Sequence, residues 1–222
     1  MTKKQRYDLA IEYLNEMFPN ADTELVHGDT FQLLIAVILS AQCTDKRVNE
    51  ITPALFEKYP TAEDMSKATP EEIFPYIKSI SYPNSKAKYL VNCSKKLMEK
   101  FNGIVPSDVD DLQTLQGVGR KTANVIAAIV FHQAKMPVDT HVHRVSRRIG
   151  LTTDAKTVRQ TEDQLMKNID KKDVGLLHHQ LILLGRYVCK ARKPECEKCK
   201  LTSVCKNFLT LQRKIKTGEN QL

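Results

Sequence analysis

The chain has 222 residues, of which 41% are hydrophobic and 27% charged, a composition typical of a water-soluble globular protein and not of a disordered or fibrous one. Lysine and arginine number 34 against 26 acidic residues, which gives a formal net charge of +8. The longest uninterrupted apolar runs, 33–39 and 125–131, have seven residues each, whereas a membrane-spanning helix needs about 20, so we expect no membrane contact.

Apolar residues recur at intervals of three and four along most of the chain, which is the spacing of amphipathic helices. In chain order, such patterns cover 9–18, 31–39, 73–80, 89–97, 125–130 and 176–184. Helix starts are predicted at Asp29-Thr30, Thr69-Pro70 and Ser107-Asp108, where a capping side chain precedes the apolar pattern. No stretch alternates long enough to predict a strand. The pattern therefore predicts an all-α protein of roughly ten helices.

The positive charge is concentrated in two stretches of the chain. Residues 120–150 carry a net charge of +5 and residues 189–206 carry +4, which leaves −1 for the remainder. A local cationic surface of this kind is suited to contact with phosphates.

The six cysteines fall into two groups. Cys43 and Cys93 lie within apolar helical patterns and are predicted to be small buried residues. The other four follow the spacing C-x6-C-x2-C-x5-C: Cys189, Cys196, Cys199 and Cys205. Two disulfides, a zinc site and an iron–sulfur cluster are all compatible with four nearby thiols, although disulfides are uncommon inside cells. Because only one pair is tightly spaced, the pattern favours a [4Fe–4S] cluster over zinc.

A tight turn is predicted at Gln116-Gly117-Val118-Gly119, between two helical patterns. Such a turn leaves backbone N–H groups at the start of the following helix, where they can bind a phosphate without reading sequence. The alternative is an ordinary packing element between two helices.

Two charged residues are candidates for chemistry. Lys121 lies in the first turn of a predicted helix, where the helix dipole disfavours a cation; it is either a solvated surface lysine or an amine nucleophile. Asp139 follows the apolar Val138 and is predicted to cap a helix, a role that is compatible with catalysis. His141 and His143 are two residues apart, point to different helix faces and do not form a predicted metal pair.

Three segments together resemble a known family: Leu115–Ala123, Val138–Arg144 and the four-cysteine loop. They are similar to those of the helix–hairpin–helix (HhH-GPD) DNA glycosylases and, within them, the endonuclease III family, and the resemblance covers about residues 9–207. It implies that Lys121 is the Schiff-base lysine, that Asp139 is the essential aspartate and that the four cysteines hold one [4Fe–4S] cluster. Adenine-specific relatives have no lysine at this position and 8-oxoguanine lyases typically lack the cluster, so the resemblance implies an enzyme for pyrimidine damage.

The resemblance also implies an architecture of two helical domains that flank a DNA-binding cleft. A helical-barrel domain is expected over 22–132, with a helix–hairpin–helix motif over about 109–131. The iron–sulfur cluster domain is expected to combine 1–21 with 133–222, and its cluster loop spans 189–205.

Two residues are implied to enter the DNA duplex. Gln42 matches the family's glutamine that fills the gap left by an extruded nucleotide; a core-facing helix end is the alternative. Tyr82 stands where relatives have a wedge leucine, in a segment that departs from the family pattern, and its ring could stack on the opposite strand. Further DNA contacts are expected from Gly117, Val118, Gly119, Arg120, His141, Arg144, Lys193 and Lys200.

The expected function is that of a bifunctional DNA glycosylase and AP lyase of base excision repair. Its expected partner is double-stranded DNA with damaged pyrimidines or abasic sites, bound by a monomer. We expect a cytoplasmic, nucleoid-associated protein, because the basic start Met1–Arg6 is not followed by the apolar run of a signal peptide. The alternatives are a non-catalytic DNA-binding module and a zinc-stabilised interaction protein, neither of which needs Lys121 and Asp139 together.

Overall fold

The computed structural model describes residues 1–217, with the side chain of residue 216 left aside. Its described residues contain α-helices and short 3-10 turns but no strand, which confirms the all-α prediction. Within this part of the chain, no helix combines the length and the apolar character needed to cross a membrane.

Twelve α-helices are present in the described residues, slightly more than the ten predicted. They are α1 Lys3–Met17, α2 Thr30–Leu39, α3 Asp45–Lys58, α4 Ala62–Ser66, α5 Pro70–Ile77, α6 Pro83–Phe101, α7 Val109–Gln113, α8 Arg120–Ile129, α9 Thr140–Ile149, α10 Val158–Asn168, α11 Val174–Tyr187 and α12 Lys206–Lys216. Two 3-10 turns, Cys196–Lys198 and Lys200–Ser203, lie between the last two helices. The count exceeds ten partly because α4 and α7 have only five residues each, well below the average length of about 11 to 12.

The chain divides into two compact units. The central unit is continuous and spans Thr23–Gln133, whereas the terminal unit combines Met1–Asp22 with Ala134–Leu222. These bounds lie within one residue of the predicted domain ranges, and residues 218–222 of the predicted second domain lie outside the described part.

The core of the central unit is built around α2. This helix is buried along nearly its whole length, from Phe31 to Leu39, and its buried side chains belong to one hydrophobic cluster. Helices α4 and α5 pack on α6, which contributes Leu90, Val91, Cys93 and Leu97 to the same cluster. The seven-residue apolar run 33–39 therefore lies in a core helix that is surrounded by protein on all sides.

The terminal unit joins the first helix of the chain to its last third. Helices α1 and α9 both pack against α11. The Tyr7 hydroxyl donates to the Leu151 carbonyl at 3.0 Å, and the Gln180 side-chain amide donates to Asn15 Oδ1 at 2.9 Å and to the Phe18 carbonyl at 3.1 Å. Buried hydrogen bonds of this kind fix the position of α1 in the unit.

The predicted helix starts are confirmed. Asp29 caps α2, and Asp108 caps α7 by accepting two backbone N–H bonds. Thr69 caps α5, forms a capping box with Glu72 and is followed by Pro70 at the first helical position. Short polar side chains before an apolar pattern thus locate helix starts in this chain.

Candidate active site

The hairpin between α7 and α8 is held by one buried side chain. Val118 is 6% exposed and belongs to the core cluster of the central unit, and its N–H donates to the Leu115 carbonyl at 3.1 Å. Gly117 and Gly119 on either side are exposed. The turn therefore presents glycine backbone to solvent while Val118 anchors it.

Gly117 has a backbone that only glycine adopts at low cost. Its φ is +83°, in the left-handed region. A Cβ atom there would lie 3.0 Å from Tyr89 Cβ and 3.2 Å from Ile38 Cγ2, closer than the 3.5 to 4.0 Å of a favourable carbon contact. Gly119 caps α8 with φ −89°, and a Cβ atom on it would meet nothing within 4 Å.

Lys121 occupies the first turn of α8, as predicted, directly after Arg120. Both side chains are exposed. The helix N-terminus carries a partial positive charge, which destabilises an ammonium group relative to a neutral amine. Lys121 is therefore an exposed amine in the first turn of a helix, where a ligand can reach it.

Asp139 is the N-cap of α9, as predicted. Its Oδ1 accepts the Val142 N–H at 2.8 Å, and the side chain is half-buried. The preceding Val138 is 6% exposed and packs in the core of the terminal unit. The second carboxylate oxygen accepts no hydrogen bond from any described residue, so one oxygen fixes the orientation and the other remains available to a ligand.

The predicted DNA contacts His141 and Arg144 are engaged within the terminal unit. The Arg144 guanidinium donates to the Gly185 carbonyl at 2.9 Å and to the Cys189 carbonyl at 3.2 Å, and it lies 3.2 Å from His141 Nδ1. His141 also packs closely on α11, because a Cβ atom added to Gly185 would lie only 2.9 Å from the Cβ atom of His141. Both residues thus fix the end of α11 and the start of the cysteine loop. Only the N–H groups that do not take part in these contacts can bind a phosphate.

His143 is a satisfied polar side chain. Its Nδ1 lies 2.7 Å from the Thr161 hydroxyl, and burial, together with the charge of Arg147, lowers its pKa.

Gln42, Tyr82 and Gly117 line one open cavity of about 550 Å³ in the central unit. Gln42 and Tyr82 both have left-handed backbones, with φ of +55° and +56°. Gln42 is exposed and is therefore not a core-facing helix end, and Tyr82 is 64% exposed. Three of the residues predicted to contact DNA are thus brought together on one concave surface.

Lys86 and Ser81 connect the loops that carry Gln42 and Tyr82, and neither was identified as functional from the sequence. Lys86 is only 4% exposed, and its ammonium group donates to the carbonyls of Leu39 at 2.8 Å and Ala41 at 2.7 Å. The Ser81 hydroxyl donates to the Gln42 carbonyl at 2.8 Å. Lys86 precedes the buried Leu90 of the same helix by four residues, and this helical spacing is the signal that could have identified it as buried.

The four C-terminal cysteines surround a second cavity, of about 370 Å³, in the terminal unit. Apart from the four thiols, its lining is mostly apolar and includes Ile149, Leu184, Val188 and Leu201. No group of three or more histidine, cysteine or acidic side chains among the described residues is arranged to hold a metal ion. Four thiols around one mostly apolar cavity are a donor set that fits a soft metal centre. Of the other two cysteines, Cys93 is buried as predicted, whereas Cys43 lies in the turn after α2 and is half-buried, outside a helix.

Most lysines of the cysteine loop are paired within the terminal unit. Lys190 and Lys198 both contact Glu195, the latter at 2.6 Å, and Lys200 contacts Glu16 of α1. Lys193 has a left-handed backbone, is exposed and forms no ion pair with any described residue. It is therefore the lysine of this loop that is best placed for an external anion.

Comparison with known proteins identifies the family. Residues 35–171 match the model of the HhH-GPD superfamily base excision DNA repair proteins. The chain is 44% identical to the endonuclease III of Bacillus subtilis strain 168 over 206 residues, which are 93% of this chain and 94% of that protein. The chain belongs to the endonuclease III family.

Other members of the endonuclease III family agree with this assignment. The endonuclease III of Rickettsia conorii is 45% identical over 201 residues, covering 90% of this chain and 95% of that protein. A solved structure of a trapped endonuclease III–DNA covalent intermediate, an estranged-adenine complex, is 44% identical and superposes with a TM-score of 0.91 over 96% of this chain and 100% of that one. The predicted family and helix–hairpin–helix glycosylase fold are therefore confirmed.

Proposed function

We propose that this protein excises oxidised or ring-damaged pyrimidines from double-stranded DNA and cleaves the strand 3′ to the resulting abasic site. As a member of the endonuclease III family, it is a DNA glycosylase with AP lyase activity in base excision repair, so the predicted reaction class is confirmed. The observation that carries the mechanism is the exposed Lys121 in the first turn of α8. The covalent DNA intermediate of a relative supports a nucleophile of this kind.

In the proposed reaction, the neutral Lys121 amine attacks C1′ of the extruded damaged nucleotide. The new N–C bond forms as the glycosidic bond breaks, and the base leaves with the electron pair. Loss of a proton from the nitrogen and opening of the sugar ring give a Schiff base. Because the Schiff base acidifies the C2′ proton, its removal breaks the C3′–O bond, and water then releases the lysine.

Asp139 is proposed to act electrostatically on this reaction. Its carboxylate stabilises the positive charge that develops on the sugar as the base departs, and it accepts a proton from the lysine. The hydrogen bond from the Val142 N–H fixes its orientation before substrate arrives. Preorganisation of this kind avoids a reorganisation cost during the reaction.

Contacts to the DNA are proposed from both units. In the central unit, Gln42 and Tyr82 enter the duplex at the extruded nucleotide, and the Gly117–Gly119 turn with Arg120 binds the backbone. In the terminal unit, Lys193 and Lys200 are proposed to bind phosphates, with His141 and Arg144 next to the cysteine loop. The phosphate and backbone contacts among these are sequence-independent, which suits an enzyme that finds damage in any sequence.

Cys189, Cys196, Cys199 and Cys205 are proposed to hold one [4Fe–4S] cluster. When bound, the cluster supplies a structural cross-link and no redox step in the excision reaction. The apolar lining of the cysteine cavity and its four thiols support this assignment. Its proposed role is to order the loop that carries Lys193.

We further propose that the protein acts as a monomer on the bacterial nucleoid, where its DNA substrate lies. One chain holds both Lys121 and Asp139 as well as all four cysteines. A second copy is therefore not required to supply any residue of the proposed chemistry.

Borohydride trapping tests the assignment of the nucleophile. The wild-type protein is expected to form a covalent adduct with duplex DNA that carries thymine glycol or an abasic site, and Lys121→Ala is expected to form none. Asp139→Ser keeps a capping oxygen but lacks the carboxylate, and we expect excision to fall by about 10²- to 10³-fold. Lys88→Ala, an exposed lysine on α6, is the matched control and should trap like the wild type. An adduct with Lys121→Ala, or no adduct with the wild type, contradicts the assignment.

A further inference from the structure

A buried lysine of the central unit has no part in the proposed chemistry. Lys86 lies in the first half of α6 and is 4% exposed. Burial lowers its pKa, because removing an ammonium group from water costs free energy. Lysines are rarely buried to this extent unless their charge is compensated, so the partners of Lys86 indicate what it does.

The partners of Lys86 are two carbonyls at the end of another helix. Its ammonium group donates to the Leu39 carbonyl, at the last residue of α2, and to the Ala41 carbonyl two residues further on, at 2.8 and 2.7 Å. The last carbonyls of a helix lack partners within the helix and carry a partial negative charge. Lys86 therefore fixes the path of the chain as it leaves α2 and enters the turn that presents Gln42.

The same lysine is adjacent to the loop that presents Tyr82. Tyr82 is the N-cap of α6, and its carbonyl accepts the Lys86 backbone N–H at 3.0 Å. Ser81 then connects the two loops directly, because its hydroxyl donates to the Gln42 carbonyl at 2.8 Å. Lys86 and Ser81 thus form two separate links between the Gln42 turn and the start of α6.

Both loops contain strain that needs such links. Gln42 and Tyr82 have left-handed backbones, which are unfavourable for residues with a side chain and persist only where surrounding contacts enforce them. Their side chains nevertheless line the same cavity, together with Lys86 itself. The links hold two strained loops in one fixed arrangement.

We propose that Lys86 is a positioning residue, which holds Gln42 and Tyr82 in the arrangement from which their side chains enter the duplex. This inference rests on the proposed roles of Gln42 and Tyr82 in DNA. Because its ammonium group is buried on the carbonyls of Leu39 and Ala41, Lys86 is proposed to act through the two loops. Its loss should therefore affect the extrusion of a stacked base more than the chemistry at C1′.

The substitution Lys86→Met tests this role. Methionine is similar in length but donates no hydrogen bond, so the carbonyls of Leu39 and Ala41 lose their partner. Single-turnover rates are measured on two matched duplexes, one with dihydrouracil and one with a preformed abasic site. An abasic site has no base to unstack and depends less on the entering side chains. We expect the ratio of dihydrouracil excision to abasic-site cleavage to fall by about 10- to 100-fold, the effect of a displacement of about 1 Å.

Lys88→Met is the matched control, because Lys88 is exposed on the same helix and the substitution removes the same charge. Its ratio should equal that of the wild type. Base extrusion is followed independently with 2-aminopurine placed opposite the lesion, whose fluorescence should rise less with Lys86→Met than with Lys88→Met. Ser81→Ala, which removes only a half-buried hydroxyl, should lower the ratio in the same direction and serves as the second variant if Lys86→Met does not fold.

A double-mutant cycle separates positioning from simple stability. If Lys86 acts through Gln42, then Gln42→Ala should reduce the ratio much less in the Lys86→Met background than in the wild type. Equal losses on both duplexes, or additive effects of the two substitutions, overturn the inference. A wild-type protein that cleaves neither duplex contradicts the proposed function instead, so the two failures are distinguishable.

Discussion

The hairpin glycines offer a direct test of how the turn is built, because two substitutions of the same type should differ strongly. In Gly117→Ala the new methyl group must occupy a backbone with φ of +83°, which costs an L-residue about 1 to 2 kcal/mol. It must also lie 3.0 Å from Tyr89 Cβ and 3.2 Å from Ile38 Cγ2. Overpacking of a core contact costs about 1 to 3 kcal/mol, and Tyr89 Cβ is attached to the backbone of α6 and cannot rotate away. We expect the free energy of unfolding to fall by about 2 to 5 kcal/mol, the sum of the two effects.

Gly119→Ala is the matched control two residues further along. Its φ is −89° and its new methyl group would meet nothing within 4 Å, so we expect a change within about 0.5 kcal/mol. Urea denaturation followed by far-ultraviolet circular dichroism measures both variants at one pH and ionic strength. Equal destabilisation by the two substitutions, or a loss below about 1 kcal/mol for Gly117→Ala, would refute the reasoning from backbone conformation.

Two further predictions concern the terminal unit. Lys193→Glu should weaken binding to undamaged duplex DNA and reduce the slope of log affinity against log salt by about one. Because Lys200 already contacts Glu16, Lys200→Glu should also destabilise the terminal unit, whereas Lys193→Glu should not. Fluorescence anisotropy measures DNA binding by both variants, and thermal melting measures their stability. Identical melting curves for the two variants would contradict the ion pair between Lys200 and Glu16. The purified wild type should be brown and contain about four irons per chain, and Cys205→Ser should lose colour and iron together with thermal stability. A colourless wild type with one zinc per chain would exclude the cluster.

Residue spacing was sufficient to predict the fold class and the position of the catalytic candidates. Helical periodicity locates α2 and α11, and the capping residues Asp29 and Asp139 mark where helices begin. These signals are local, because a cap and an apolar stripe depend on residues within a few positions of each other. The five-residue helix α4 was not predicted as a separate element, because one turn contains too few residues to establish a period. The start of the equally short α7 was predicted only from its capping residues Ser107-Asp108.

Features that depend on distant parts of the chain were not predicted. The sequence of α6 does not show that Lys86 meets the end of α2, since that contact spans more than 40 positions. In the same way, the sequence predicted that Arg144 contacts DNA, whereas its guanidinium donates to carbonyls of α11 and of the cysteine loop. Charged side chains are ambiguous from sequence alone, because their role is decided by whether buried carbonyls or solvent surround them.

The division of the terminal unit between both chain ends has a consequence for synthesis on the ribosome. Asn15 and its partner Gln180 are separated by 165 positions, which correspond to about 10 to 30 s of translation at about 5 to 20 residues per second. During that interval the inner face of α1, with Tyr7, Ala10 and Leu14, has none of its native neighbours from α11. The continuous central unit, Thr23–Gln133, is synthesised completely long before then. The apolar face of α1 therefore stays without its native partners until almost the whole chain has been synthesised, and the terminal unit can form only late in synthesis.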